Sequence, residues 1–229
     1  MKYLWCAPSY PPRRSVRRQA TTAAVDNSAL FAIRQRSTYR SGKVVQTNRA
    51  TSVLRTAVAS QPSKSLPAQI TISQEKMRFV PVISIVALGA RAHFVNNDPW
   101  EHRVRGSAAG AAQFDQKVAD GFEFRLDGMP DGKAAKTADA VLSKAGAVLL
   151  GCHLHVSMRG HIFVSESPWA TISDANGSAL FDGAPEGSAR IQVWHPEQFV
   201  DVPVQTVRLS GTPSVVTVAL GIVPRRRRN

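Results

Sequence analysis

Two cysteines in 229 residues cannot build a disulfide framework. Cys6 sits in a Pro/Arg-rich stretch and Cys152 in an apolar one, so no pairing between them is expected. No run of 18 apolar residues exists, and no transmembrane helix is expected. The usual catalytic signatures are missing too. There is no G-x-S-x-G, no H-E-x-x-H and no Gly-rich phosphate loop. "DGMPDGKAAKTAD" has acids and glycines but not the register of an EF-hand. The sequence does not read as an enzyme.

Acids are scarce as well, 16 against 29 Lys and Arg, for a formal charge of +13. Such a charge suggests nucleic acid, but its distribution argues otherwise. Residues 1–70 hold twelve Lys and Arg and one acid, Asp26, and the tail Arg225 to Arg228 adds four more charges. Residues 71–224 then carry 13 bases and 15 acids, so the stretch with folding texture is slightly acidic. The basic ends read as solvated arms, and no nucleic-acid partner is expected. "MKYLWCAPSYPPRRSVRRQATTAAV" lacks a compact apolar region ending in a cleavage site, so it does not read as a clear signal peptide.

Residues 1 to about 66 show no sustained period. "SGKVVQTNRATSVLRTAVAS" (Ser41 to Ser60) could supply a short strand and a helical turn. From Ala68 the chain alternates and is rich in Val, Ile and Phe, which predicts strands. "DGKAAKTADAVLSKAG" is the one helix candidate, with a loop as the other reading. After Pro168, short strands separated by "DANG" and "APEGS" turns predict a second sandwich. The expected layout is a leader over 1–66, one β-domain over 67–166, a smaller sandwich over 167–223 and a basic tail over 224–229.

One stretch concentrates unusual residues. "GCHLHVSMRGHIFV", from Gly151, holds Cys152, three of the six histidines and Met158. A strand ending at Cys152 and another restarting near Gly160 would leave Cys152, His155 and Met158 on the loop between them. A thiolate, an imidazole and a thioether together select copper, especially Cu(I). A second imidazole should come from a distant strand end, and "FVNNDPWEHRV" offers His102 where a strand breaks and restarts. His102, Cys152 and His155 with a long axial Met158 make the His₂Cys set of a blue (type 1) copper site. The competing reading is zinc on Cys152, His153, His155 and His161. It is disfavoured because ligands along one strand–turn–strand would point to both faces. His153 and His161 are expected to be exposed, and His93 and His195 to be structural strand residues.

The pattern C-x-x-H-x-x-M-R-G followed by an apolar strand resembles the ligand loop of amicyanin and, more loosely, those of plastocyanin and pseudoazurin. Upstream, F-x-P-x-x-x-x-V-x-x-G-x-x-x-x-F-x-N-x-D before His102 is similar to the first half of the same cupredoxin fold. The resemblance covers residues 70–165. It implies an all-β chain, a Greek-key cupredoxin sandwich carrying one type 1 copper and serving one-electron transfer to a redox partner protein. It also implies that Asn96 ties the two ligand loops together, and that the protein is exported, as to a periplasm. The segment from Ser167 resembles a small carboxypeptidase-regulatory-like (prealbumin-like) sandwich, as in methylamine-utilisation-type plastocyanin-like proteins. Trp100, Glu101, His153 and the Ala/Gly-rich stretch from Gly106 to Gly146 depart from the pattern. An alternative role is copper storage or delivery, or a binding module whose second sandwich docks a partner.

Overall fold

The computed structural model describes residues 29–38, 44–46, 50–109, 121–129, 134–198 and 200–222. Every helix or strand among them is a strand, as the all-β expectation requires. No helix among them is long and apolar enough to cross a membrane.

The first sandwich is one continuous stretch of chain. Its first sheet runs in the order β10 (Lys136–Val141), β7 (Arg91–Asn96), β4 (Gln69–Glu75), β5 (Arg78–Val80). The second runs β6 (Ile83–Ala87), β12 (Arg159–Ser165), β11 (Gly146–Cys152), β8 (His102–Ala108), β9 (Phe122–Leu126). Crossovers make β4 parallel to β7 and β6 parallel to β12, while the other neighbours are antiparallel. Alternation does the sorting. Ala92, Phe94 and Asn96 of β7 point inward while Arg91 points out, because side chains on a strand alternate between faces. Phe79, Phe94, Leu150 and Ile162 fill the space between the sheets, with Cys152 and Met158 at one end of the same core. The Phe94 ring meets Phe124 edge-on at 5.1 Å, a favoured aromatic geometry.

The second sandwich is discontinuous. One sheet places β1 (Ala29–Thr38) between β14 (Ser178–Ala184) and β17 (Ser214–Leu220), with β2 (Val44–Gln46) added to β1. The other runs β13 (Ala170–Ile172), β3 (Thr51–Thr56), β15 (Gly187–Trp194), β16 (Gln205–Leu209). β1 is antiparallel to β14 and parallel to β17, and β3 is antiparallel to both of its neighbours. Ile33 and Leu54 lie fully buried among Phe181, Ile191 and Leu220. The first sandwich is thus inserted between β3 and β13 of the second.

Three expectations change here. Of the low-order leader expected over 1–66, residues 1–28, 39–43 and 47–49 lie outside the described residues, and the rest includes strands β1, β2 and β3. The helical turn expected after Ser41 is strand β3 instead, since Leu54 gains a buried site between β13 and β15. The helix or loop expected over "DGKAAKTADAVLSKAG" instead carries strand β10 at Lys136–Val141. Pairing Thr137 to Val95 and Ala138 to Phe94 overrides the helix propensity of its alanines. The basic tail, residues 224–229, lies outside the described residues.

Candidate metal centre

Sheet register brings the distant ligands together. β11 pairs with β8 so that Cys152 lies opposite Val104, two residues from His102 at the start of β8. The ladder continues past the strand end, where the His153 amide donates to the Arg103 carbonyl at 3.1 Å. The chain then turns, and the Met158 amide donates to the His155 carbonyl at 2.9 Å. That turn folds His155 back over Cys152.

The result is a compact triangle. Nδ1 of His102 lies 3.1 Å from Nδ1 of His155. The Cys152 sulfur is 3.8 Å from the first and 3.5 Å from the second. A point equidistant from the three lies about 2 Å from each, the length of a metal–imidazole bond and slightly under that of a metal–thiolate bond. Among the described residues, this is the group of His, Cys, Asp and Glu whose ligand atoms converge, all within 4.8 Å of one another. His102 and Cys152 are buried and His155 is half-buried. Met158 is buried in the apolar core beside Cys152. The donor set and its spacing fit a copper ion, with soft sulfur and imidazole in one plane.

The residues behind His102 are equally ordered. Its Nε2 sits 2.9 Å from the Asp98 carboxylate, which leaves Nδ1 for the triangle. This is the carboxylate–histidine arrangement that fixes ring orientation at metal sites. Asp98 is itself buried and accepts the main-chain N–H groups of Lys76 and Met77, at 2.5 and 2.9 Å. Both residues have positive φ, 51° and 57°, in the tight turn between β4 and β5. Burial pushes the Asp98 carboxyl pKa up. The Met77 amide, the hydrogen bond and charge of His102, and the Lys76 amide outweigh it, so the net shift is below the ordinary carboxylate value. The pattern N-x-D before His102 contains Asp98 but gives it no role. The signal available was its spacing, four residues before a candidate ligand.

Asn96 is fully buried, but its bonds run elsewhere than the resemblance implied. Its Nδ2 donates to the carbonyls of Trp100, Asp127 and Leu126 at 2.9, 3.0 and 3.2 Å, and its Oδ1 accepts from the Asp98 amide at 2.9 Å. These contacts brace the 97–101 turn and the end of β9, which flank His102. Both amide hydrogens are used there, so none is left for the loop carrying Cys152.

The other histidines separate cleanly. His153 is exposed, with Nε2 3.8 Å from Glu123 on β9. His93 pairs with Asp139 at 2.8 Å across β7 and β10. His161 was expected to be exposed. Instead its ring packs 5.4 Å from that of Trp194, between the two sandwiches. The four-ligand zinc set is therefore not assembled: His153 faces Glu123 and His161 faces Trp194.

No family model matches the chain, and no curated protein matches it. Solved structures do. Amicyanin from Paracoccus versutus is 19% identical, covers 52% of this chain and 100% of its own, and superposes with a TM-score of 0.33. A methionine-to-glutamine mutant of amicyanin in the Cu(I) form is 16% identical, covers 50% of this chain and 99% of its own, with a TM-score of 0.33. A purple cupredoxin from Nitrosopumilus maritimus is 16% identical, covers 42% of this chain and 98% of its own, with a TM-score of 0.31. At those scores the chemistry of the site rests on its own geometry.

Proposed function

We propose that the chain is a type 1 copper protein that carries single electrons. The observation behind this reading is the triangle of Cys152 Sγ, His102 Nδ1 and His155 Nδ1, with sides of 3.1, 3.5 and 3.8 Å. Copper bound there would supply a one-electron couple. The chain's part is to hold the donors still. His102 and Cys152 are anchored on paired strands, His102 is clamped from behind by Asp98, and the apolar core around Cys152 and Met158 keeps water away. A cage that moves little between oxidation states lowers reorganisation, which is what fast one-electron transfer requires. Met158 is assigned the weak axial position, where a thioether tunes the couple more than it holds the ion.

Half-buried His155 is the route in and out. Leu154 and Val156 beside it are 50% and 82% exposed, so an apolar rim surrounds the one ligand near solvent. Such a rim suits brief docking of a redox partner protein. Export to a compartment such as a periplasm belongs to this reading and rests on the family resemblance alone.

Substitution separates the roles. With Cu(II), the full chain should show an intense thiolate-to-copper absorption band in the red. Met158→Leu should keep the band and raise the potential, because losing the soft axial donor leaves Cu(II) less stabilised than Cu(I). His155→Ala should open an equatorial position to water and bleach or shift the band. If Met158→Leu abolishes copper binding while His155→Ala leaves the spectrum intact, the assignment of roles is wrong. Slow electron self-exchange with tight Cu(I) retention would favour storage or delivery instead.

A further inference from the structure

The two sandwiches meet through the outer faces of the β11–β12 pair and the β3–β15 pair. Val53, Phe163 and Trp194 form a small apolar cluster between them, apart from both main cores. Packed sheets normally interdigitate and leave few voids larger than a water molecule. Here the first sandwich presents Ala109, Ala145 and Ala147, whose side chains are too short to close the gap. A cavity of about 340 Å³ remains. That is within the range of small-ligand pockets, and such pockets favour boundaries between domains.

The lining is divided by chemistry. Phe163 and Trp194, ring centroids 5.8 Å apart, give an aromatic wall. Arg55, Gln192 and Asp201 give a polar one. Arg55 is held in place: it donates to Gln192 Oε1 and to Glu166 Oε2, each at 3.2 Å. A guanidinium has five N–H donors, so these two bonds pin the group without exhausting it. Its side chain remains 38% exposed. Asp201 supplies an exposed carboxylate on the same cavity.

We infer that this cavity binds a small zwitterion, an α-amino acid with an apolar side chain. Arg55 takes its carboxylate, Asp201 its ammonium group, and Phe163 and Trp194 its side chain. A simple anion fits less well, because Glu166 already offsets Arg55 and Asp201 repels it. A simple cation meets Asp201 but also Arg55. A molecule carrying both charges satisfies Arg55 and Asp201 on the polar wall together, with no net charge, and leaves its apolar side chain for the aromatic wall. The inference is independent of the copper reading, since the cavity includes none of His102, Cys152, His155 or Met158.

Calorimetric titration of the full chain with L-phenylalanine tests it. 3-Phenylpropionate, lacking the ammonium, and phenethylamine, lacking the carboxylate, serve as the single-charge probes. The expected result is saturable binding of phenylalanine, weakened about tenfold or more when either charge is removed. Arg55→Gln and Asp201→Asn should each weaken it by a similar factor. Ala147→Leu, placed opposite Phe163 on the neighbouring strand, should crowd the aromatic wall and weaken binding about tenfold or more while thermal unfolding stays near that of the parent; should that variant unfold, Ala147→Val replaces it. Binding should be the same with and without copper. No heat with phenylalanine at about 10 mM, or a single-charge probe binding as tightly, would overturn the inference. So would Ala147→Leu, or the Val replacement where Leu unfolds, binding like the parent.

Discussion

The first sandwich and the second differ in how their strands are drawn from the chain. The first uses a continuous run from Gln69 to Ser165. The second takes β1, β2 and β3 from before that run and β13 to β17 from after it. In both of its sheets an early strand is internal, β1 between β14 and β17 and β3 between β13 and β15. A sandwich made of neighbouring segments announces itself locally. One whose central strands arrive from more than a hundred residues away does not.

The sharpest way to break the comparison is to remove residues 1–66. The account predicts that the first sandwich keeps its fold and its metal triangle, because none of its strands is lost. The second should lose cooperative folding, because an internal strand is gone from each sheet. Two-step unfolding by fluorescence and circular dichroism in the parent, reduced to the first sandwich's transition alone in the truncated chain, is the expected reading. If the truncated chain retains both transitions, β1 and β3 are not structural parts of the second sandwich. A gentler version is Leu54→Ala. It should cost about 3 kcal/mol in the second transition and leave the copper spectrum unchanged.

This difference also explains what was legible. The Val/Ile/Phe-rich stretch of β4 to β7 reads as two or three strands where the structure has four, because β5 is only three residues long, while β8, β9, β11 and β12 are each legible as strands, and Cys152, His155 and Met158 are close in sequence. His102 was found because a metal plane needs a second imidazole and a strand end offered one. Asp98 closes the N-x-D pattern before His102, but its role was not legible, because an acid in "NNDP" looks like any turn residue until its carboxylate is seen against His102 and two turn amides. Asn96 stood out in the same stretch, but its partners depend on where β9 ends, which no short pattern encodes. β3, "TSVLRT", carries only two aliphatic residues among polar ones, so its burial follows from its internal place in the sheet and from Ile33, Phe181 and Leu220 of the facing sheet packing on Leu54, not from its own composition.

Asp98→Ala sharpens the contrast from the other side, because it should affect the first sandwich alone. Losing the carboxylate leaves His102 Nε2 and the Lys76 and Met77 amides without their partner. A loss of about 1–3 kcal/mol is expected, together with a broadened copper spectrum as the ring loses its clamp. Asp98→Asn should recover part of the stability. The depressed Asp98 pKa adds a pH signature to the copper-free chain. Its stabilisation is fully present above the unfolded-state pKa of 3.8 and is lost as pH falls through the lower folded value.

The smallest expected effect lies at the boundary between the two regions. Burial, with help from the charges of Arg159 and His195, lowers the His161 pKa from 6.5 to about 4. The unfolded chain therefore binds a proton there that the folded chain refuses. Stability from this group is fully present above pH 6.5 and declines as pH falls toward 4. After allowance for partial solvent access, the loss should be about 2 kcal/mol. Urea titrations of parent and His161→Gln across that window should show the slope flatten in the variant. An equal slope in both would remove His161 from the boundary's energetics.

The central claim is that Cys152, His102 and His155 hold copper in one plane. X-ray absorption at the copper edge of the loaded full chain, beside Cys152→Ser, tests it most directly. The account predicts one short copper–sulfur bond and two nitrogen neighbours near 2 Å, with the sulfur signal gone in the variant. Three or four light-atom neighbours without a short sulfur bond, or a sulfur signal that survives Cys152→Ser, would contradict it.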